Sequence, residues 1–167
     1  MTNSDDSGAG SVVDFDTMRG RDYPTIRQFT VFLENRVGRL LEVVRRFQNT
    51  SARIVAMNII DSTECCIVRF VLTHPEQGRE ILERAGLAMI ENDLVAIELP
   101  QTAQPMIRVC EALLRAEINL VQVYPLLVRT DANQVVALMV DNIEFAQQTL
   151  VCEGFTLVTE NDLLDMC

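Results

Sequence analysis

The chain has 167 residues, 49% of them apolar, and its 24 acidic residues outnumber 14 basic ones to give a net charge of −10. This length and composition allow one compact domain or two small ones with a real apolar core. The acidic balance argues against a nucleic-acid partner, which would need a basic footprint, and the lack of any run of about 18 apolar residues argues against a membrane partner.

The basic residues are all arginines, because the sequence contains no lysine. A P-loop, a Schiff base and a lysine general base are therefore excluded. The single histidine, His74, stands before a proline, and this pair predicts an exposed position at the start of a helix. No motif joins it to a serine or cysteine nucleophile.

The five cysteines are odd in number and include no CxxC pair. We expect buried, reduced thiols rather than disulfides or metal ligands, which favours a cytoplasmic setting. No metal and no cofactor are expected. The cysteines are Cys65, Cys66, Cys110, Cys152 and Cys167.

Residues 1–24 are rich in Asp, Ser and Gly without a clear period, which predicts a disordered tail. After it, RQFTVFLEN alternates like a strand over 26–33, and VGRLLEVVRRF has helical spacing. ARIVAMNII and CCIVRFVL then predict a hairpin around DSTE. HPEQGREILERAG predicts a helix that ends at Gly86, and LAMI predicts a strand before a turn at ENDL, 91–94. The order is βαββαβ.

The same order returns in the second half of the chain. LVAIEL predicts a strand, PMIRVCEALLRA a helix, and INLVQVYPLLV and QVVALMV two further strands. NIEFAQQTLVCEG predicts a helix that ends at Gly154, and FTLV a last strand, followed by a second turn at ENDL, 160–163. Leu33 corresponds to Leu99, Leu40 to Met106, and Gly86 to Gly154. These correspondences indicate an internal duplication.

Each βαββαβ unit predicts an α+β, ferredoxin-like fold with two helices on one face of a four-stranded antiparallel sheet. We assign residues 25–93 to the first unit and residues 94–167 to the second. A unit of about 70 residues is marginal alone. We therefore expect the two antiparallel sheets to join edge to edge into one eight-stranded sheet with the helices on one face.

The stretch LENRVGRLLEVVRRF followed by SARIVAMNI resembles the start of an ACT domain, a small-molecule regulatory module. AIELPQTAQPMIRVCEALLRAEINLVQVY resembles a second ACT domain, and the opening is also similar to the regulatory (small) subunit of acetolactate synthase. The resemblance implies a non-catalytic protein that binds an amino acid or similar small carboxylate. It also implies a homodimer and an enzyme partner in trans. The most specific form of this expectation is regulation of acetolactate synthase by a branched-chain amino acid.

In this family the ligand lies where the loop after the first strand of one domain faces the start of the second strand of its neighbour. The resemblance therefore implies one composite site from the loop 34–40 and the start of the second strand in the second unit. Gly38 would let backbone approach the ligand, and the amides of 38–40 would meet its carboxylate. The predicted residues are Glu34, Asn35, Arg36, Val37, Gly38, Arg39, Leu40, Asn119, Leu120 and Gln122.

The reciprocal set of residues looks degenerate. Gly38 aligns with Gln104, so the second loop lacks the glycine, and Arg53 stands where the second unit has Asn119. We therefore expect one good site per chain rather than two. The degenerate set consists of Gln101, Thr102, Ala103, Gln104 and Arg53.

Simpler roles remain open for several of these residues. Gly38 could be only a turn glycine, Arg36 and Arg39 could be solvated charges, and Asn35 is well suited to cap the first helix. Asn119 could do no more than fix a turn. For the whole protein, a structural assembly module with a vestigial pocket and a small ferredoxin-like enzyme are the alternatives.

Overall fold

The computed structural model describes residues 24–62, 65–130 and 133–165. Apart from Pro24, the predicted tail lies outside the described residues, and so does Cys167. A single 3-10 turn, Arg45–Phe47, follows the first helix. The helices and strands are, in chain order, β1 (Ile26–Glu34), α1 (Arg39–Val44), β2 (Ile54–Asp61), β3 (Cys65–Leu72), α2 (Pro75–Arg84), β4 (Met89–Glu98), α3 (Pro105–Arg115), β5 (Leu120–Thr130), β6 (Asn133–Val140), α4 (Ile143–Cys152), β7 (Leu157–Val158) and α5 (Glu160–Asp165).

Strand β4 belongs to both predicted units. Its first half pairs antiparallel with β1, from Met89 opposite Val31 to Leu94 opposite Ile26. Its second half pairs antiparallel with β6 and, through Ala96, with β7. The predicted boundary between residues 93 and 94 therefore lies inside one continuous strand. The described residues form seven strands where eight were predicted, because LAMI and LVAIEL are parts of the same strand.

The two ENDL segments have different structures, and both predicted turns are wrong. Residues 91–94 lie in the middle of β4, whereas residues 160–163 begin α5. The cause is the preceding residue. The Thr159 hydroxyl accepts from the Asp162 N–H at 3.3 Å, and the Asp162 carboxylate accepts from the Thr159 N–H at 2.7 Å, which is a capping box. The first copy has the β-branched Ile90 instead, which favours a strand.

The sheet is curled rather than flat. Its strand order is β2-β3-β1-β4-β6-β5, with β7 paired to β4 beside β1. The end strands β2 and β5 contact each other, so the sheet nearly closes into a barrel. Its inner face is filled by side chains from both units, including Ile26, Val55, Tyr124, Val135 and Leu163.

Helices α1 to α4 cover the outer face of this sheet, as the sequence predicts. Helices α1 and α2 pack on β1 and β3 around Val31, Phe70 and Leu82. Helices α3 and α4 pack on β4 and β6 around Ile97 and Leu113. The inner and outer clusters share no residue, because successive residues of a strand point to opposite faces.

The internal duplication is visible in the structure. Leu33 near the end of β1 and Leu99 directly after β4 are both buried. Gly86 and Gly154 both follow a helix with positive φ, at 68° and 84°, so the predicted helix ends are correct. Helix α2 begins at Pro75 directly after His74, as predicted, but His74 is half-buried rather than exposed.

The prediction of buried thiols is wrong for two cysteines. Cys110 and Cys152 are exposed free thiols, because they lie on the solvent sides of α3 and α4. Cys65 and Cys66 are half-buried and free at the start of β3. The four described cysteines thus form no disulfide with one another.

Candidate functional site

The loop after β1 places a glycine in a left-handed conformation directly before α1. Gly38 has φ 87°, a region that residues with a Cβ rarely adopt. An ideal Cβ built on Gly38 meets no heavy atom within 4 Å. Val37 beside it is fully exposed, and the loop from Glu34 to Gly38 faces solvent throughout. The loop therefore offers open space over bare backbone.

Asn35 does not cap α1, so the predicted capping role is wrong. The residue before the helix is Gly38, and no side chain caps it. The Asn35 amide instead donates to Asp61 Oδ1 at 2.8 Å and to the Ser62 carbonyl oxygen at 3.5 Å. Asn35 thus ties the loop to the turn between β2 and β3, which fixes the position of the loop.

Two guanidinium groups share one carboxylate at the start of α1. Arg39 Nη1 donates to Glu42 at 2.8 Å, and Arg36 Nη2 lies 3.6 Å from the same carboxylate. The hydrogen bond from Arg39, together with the charge of Arg36, lowers the pKa of Glu42. Arg39 Nε is buried without a hydrogen-bond partner. The loop therefore combines positive charge with one unused donor.

Not all of the three amides proposed as carboxylate donors are available. The Arg39 N–H donates to the Arg36 carbonyl oxygen at 3.1 Å within the turn. In the described part of the chain, the amides of Gly38 and Leu40 donate to no protein group. Two backbone donors thus remain at this loop.

The second half of the predicted site lies at the start of β5. Asn119 directly precedes this strand, and its N–H donates to Asp141 Oδ1 at 3.1 Å. Gln122 Nε2 is buried without a partner. Among residues 24–62, 65–130 and 133–165, no hydrogen bond joins the loop 34–40 to residues 119–122.

Three residues of the degenerate set, Gln101, Thr102 and Arg53, line two separate cavities. The loop of Gln101 and Thr102 borders a cavity of about 260 Å³ that Arg129 also lines. Arg53 borders another cavity, of about 420 Å³, beside the end of α1. Gln104, the counterpart of Gly38, precedes α3 with φ −140°, so this loop has an ordinary backbone. Ala103, which lies between Thr102 and Gln104, is exposed.

The acidic partners around the loop were not predicted from sequence. Asp61 accepts a hydrogen bond from Asn35, Glu42 pairs with both arginines, and Asp141 accepts from the backbone N–H of Asn119. Glu42 lies three residues after Arg39 on a predicted helix, so that pair could have been found from spacing. Asp61 and Asp141 are distant in sequence and gave no such signal.

Comparison with protein families decides the assignment. A family model described as an ACT domain pair matches residues 24–167. The chain belongs to the ACT domain pair family. ACT domains are regulatory modules that bind amino acids, and we assign the two βαββαβ units that share β4 to the two domains of this pair. A comparison with curated protein sequences gives no match.

Solved structures share the fold of this ACT domain pair. Protein BT0572 from Bacteroides thetaiotaomicron has a TM-score of 0.76 and 21% identity, over 84% of this chain and 96% of that chain. The regulatory subunit of aspartate kinase from Thermus thermophilus, in a ligand-free form, has a TM-score of 0.55 and 12% identity, over 80% and 95%. That subunit from Thermus flavus has a TM-score of 0.52 and 13% identity, over 77% and 90%.

In the described ranges, no helix of this ACT domain pair is long and apolar enough to cross a membrane.

Proposed function

We propose that this ACT domain pair is a non-catalytic sensor that binds an amino acid or a similar small carboxylate at the loop 34–40. The observation that carries the proposal is the open backbone at Gly38 beside donors that have no acceptor among the described residues. The helix-end glycines Gly86 and Gly154 share the positive φ and the open space, but their amides are hydrogen-bonded within the chain. The unused donors therefore distinguish the loop of Gly38 from a structural turn.

The loop supplies the donors that a carboxylate requires. The amides of Gly38 and Leu40 and the buried Arg39 Nε have no acceptor among the described residues. A carboxylate that replaces Glu42 beside Arg36 would accept charge-assisted hydrogen bonds, which are stronger than neutral ones. Because α1 has only six residues, the arginines and these individual amides contribute more to this site than a helix dipole does.

The second half of the site, Asn119, Leu120 and Gln122, would come from a second copy in a homodimer. No hydrogen bond of the described chain joins the two halves, and the exposed side chain of Asn119 supplies an amide donor. Apolar side chains are exposed on helices and edge strands of both domains, as a side-by-side pairing needs. They are Leu41, Met57, Ile59, Ile107, Leu114, Val121 and Val123.

We further propose that the dimer regulates an enzyme of amino-acid biosynthesis in trans. The similarity of LENRVGRLLEVV to the small subunit of acetolactate synthase favours that enzyme and a branched-chain amino acid. The similarity of fold to regulatory subunits of aspartate kinase makes that kinase the other candidate partner. The free thiols of Cys65, Cys66, Cys110 and Cys152 support a setting in the cytoplasm.

Thermal unfolding in the presence of each of the twenty amino acids, at millimolar concentration, tests the sensor proposal. A ligand present at about 100 times its Kd adds about 2.7 kcal/mol to the free energy of unfolding. For a chain of this size, that corresponds to a rise of several degrees in Tm. We expect such a rise for one chemical group of amino acids, and the group identifies the signal.

The control compares two substitutions with similar backbone strain. Gly38→Gln and Gly86→Gln both place a side chain at positive φ in open space. Both should lower Tm, but only Gly38→Gln should abolish the ligand-induced rise. The absence of a rise with any amino acid would support an assembly module instead, and equal ligand responses in both variants would place the ligand elsewhere.

A further inference from the structure

The curled sheet is open at one end of its inner face, and apolar side chains are exposed there. Phe32 of β1, Ile60 of β2 and Ile90 of β4 are 39%, 43% and 52% exposed. Ile67 of β3 stands directly opposite both Phe32 and Ile60 in the strand pairing, so it points to the same face. Because the sheet curls, this end of the inner face is a concave apolar surface that solvent reaches.

Arg69 lies on the same face, further into the sheet. It alternates along β3 with Val68 and Phe70, which pack beneath the helices, so its side chain points to the interior. Arg69 is half-buried, and it forms no ion pair and no hydrogen bond within the described residues. A half-buried charge without a partner is unfavourable, and it is unexpected in a chain whose acidic residues outnumber its basic ones.

The surroundings of Arg69 favour an anion. In the described strands, its neighbours on the inner face of β1 to β4 are all uncharged, namely Thr30, Phe32, Asn58, Ile60, Ile67, Val71 and Ile90. Burial raises the pKa of the Tyr124 hydroxyl, and the nearby charge of Arg69 opposes this rise. Along this face of β1 the next carboxylate is that of Glu34, about 13 Å beyond Thr30 at 3.3 Å per residue. The site therefore has one positive charge and no carboxylate beside it.

Two polar side chains beside Arg69 have unused hydrogen-bonding groups. Asn58 on β2 and Thr30 on β1 stand directly opposite Arg69, one on each side. Asn58 Oδ1 is buried without a partner. The Thr30 hydroxyl accepts from Gln28 Nε2 at 3.4 Å and donates to no group of the described residues. A half-turn of the Asn58 amide presents its NH2 group instead, so both neighbours can donate to the same anion as Arg69.

We propose that this inner-face site binds an amphipathic monocarboxylate at Arg69. The carboxylate lies between Asn58 and Thr30, and the apolar tail lies against Phe32 and Ile60. At about 3.3 Å per strand residue, these two apolar side chains stand about 7 Å from the row of Arg69. With C–C bonds of about 1.5 Å, a tail of about five carbons spans that distance.

The proposal goes beyond the amino-acid sensor and does not rest on it. Arg69 faces the interior of the curled sheet, whereas the loop 34–40 leads into α1, which covers the outer face. The loop carries two arginines of its own, Arg36 and Arg39. The test must therefore distinguish a carboxylate bound at Arg69 from one bound at the loop.

The test is a titration of the full chain with sodium hexanoate at constant ionic strength, followed by the thermal unfolding midpoint. Hexan-1-ol and hexylammonium have nearly the same tail without the negative charge, and acetate has the same head without the tail. We expect hexanoate to raise the midpoint, acetate to bind at least about tenfold more weakly because each buried CH2 contributes, and the other two probes to give no rise. No rise with hexanoate, or equal rises with hexanoate and hexan-1-ol, would overturn the proposal.

A nearly isosteric substitution supplies a competing carboxylate from the chain itself. Asn58→Asp places a negative charge directly opposite Arg69. It should weaken hexanoate binding by about tenfold or more, because charge-assisted hydrogen bonds to the guanidinium are then already formed. Unchanged or tighter binding of hexanoate would contradict a carboxylate site at Arg69.

Matched arginine variants locate the ligand. Arg69→Met removes the charge without leaving an ion-pair partner behind, and it should abolish the hexanoate response. Arg129→Met removes an exposed arginine of β5 and changes the net charge equally, so it should respond as wild type does. Gly38→Gln should also retain the response. Retention in Arg69→Met with loss in Gly38→Gln would place hexanoate at the loop 34–40 and overturn the proposal without affecting the amino-acid sensor.

Discussion

Tyr124 shows how one buried polar contact joins the two domains. Its hydroxyl donates to Gln28 Oε1 at 2.5 Å inside the curled sheet, and Gln28 is completely buried. Pro125 beside Tyr124 cannot donate a backbone hydrogen bond, and accordingly β5 is an end strand whose register shifts between Pro125 and Arg129. The contact with Gln28, 96 positions away, could not be predicted.

Tyr124→Phe should lower the free energy of unfolding by about 1–3 kcal/mol, because it leaves the buried Gln28 oxygen without a donor. Urea unfolding measures this loss. Adding Gln28→Met should recover part of the loss, since the unpaired group is then gone. A single variant within about 0.5 kcal/mol of wild type would show that the hydrogen bond does not contribute.

Burial also raises the pKa of the Tyr124 hydroxyl. A group with a raised pKa in the folded state stabilises the fold below its unfolded value of about 10 and loses that contribution as the pH rises beyond it. The wild type should therefore lose stability above about pH 10 more steeply than Tyr124→Phe does.

Arg27 marks a limit of sequence reasoning. Its position in phase with Phe29, Val31 and Leu33 signals that a charged residue is buried on the helix-covered face of β1. Its partner Glu160 lies 133 positions away in a segment whose sequence favoured a turn. Periodicity can therefore reveal the buried charge, but only the fold reveals the ion pair.

Apart from α5, which was predicted as a turn, the order of helices and strands followed from the sequence because each has a local signal. Alternation predicted β1, helical spacing predicted α2 and α3, and glycines marked the helix ends. The continuity of β4 had no such signal, since ENDL is polar and repeats. Pairing with β1 on one half and with β6 on the other makes it a strand, and those contacts are long-range.

A strand shared by two domains predicts that the domains unfold together. Ala96 is buried at the crossing of β6, β4 and β7. Ala96→Gly should lower the free energy of unfolding by about 1 kcal/mol. A loss of about 1 kcal/mol corresponds to roughly a fivefold larger population of the unfolded state. Amide hydrogen exchange should therefore accelerate roughly fivefold in both β3 of the first domain and β6 of the second.

Leu127→Ala is the control, because Leu127 is 80% exposed in the irregular stretch of β5. It should leave the exchange of β3 amides unchanged. Faster exchange confined to β6 in Ala96→Gly would mean that the domains are independent in spite of their common strand.

The molecule as a whole is an ACT domain pair whose two halves are no longer equivalent. Gly38 and Gln104 occupy corresponding positions before α1 and α3, yet their φ values are 87° and −140°. Arg53 and Asn119 likewise precede the corresponding strands β2 and β5. The duplication kept the scaffold, while the residues expected around a ligand diverged. One functional site per chain is the consequence that we propose.

Calorimetric titration with the amino acid that gives the largest thermal shift tests the proposal of one site per chain most directly. Wild type should bind about one molecule per chain. Gly38→Gln should bind none, and Gln104→Trp, which places a large side chain at the corresponding position, should bind as wild type does. Equal losses of binding in Gly38→Gln and Gln104→Trp would contradict a single site built on the loop 34–40.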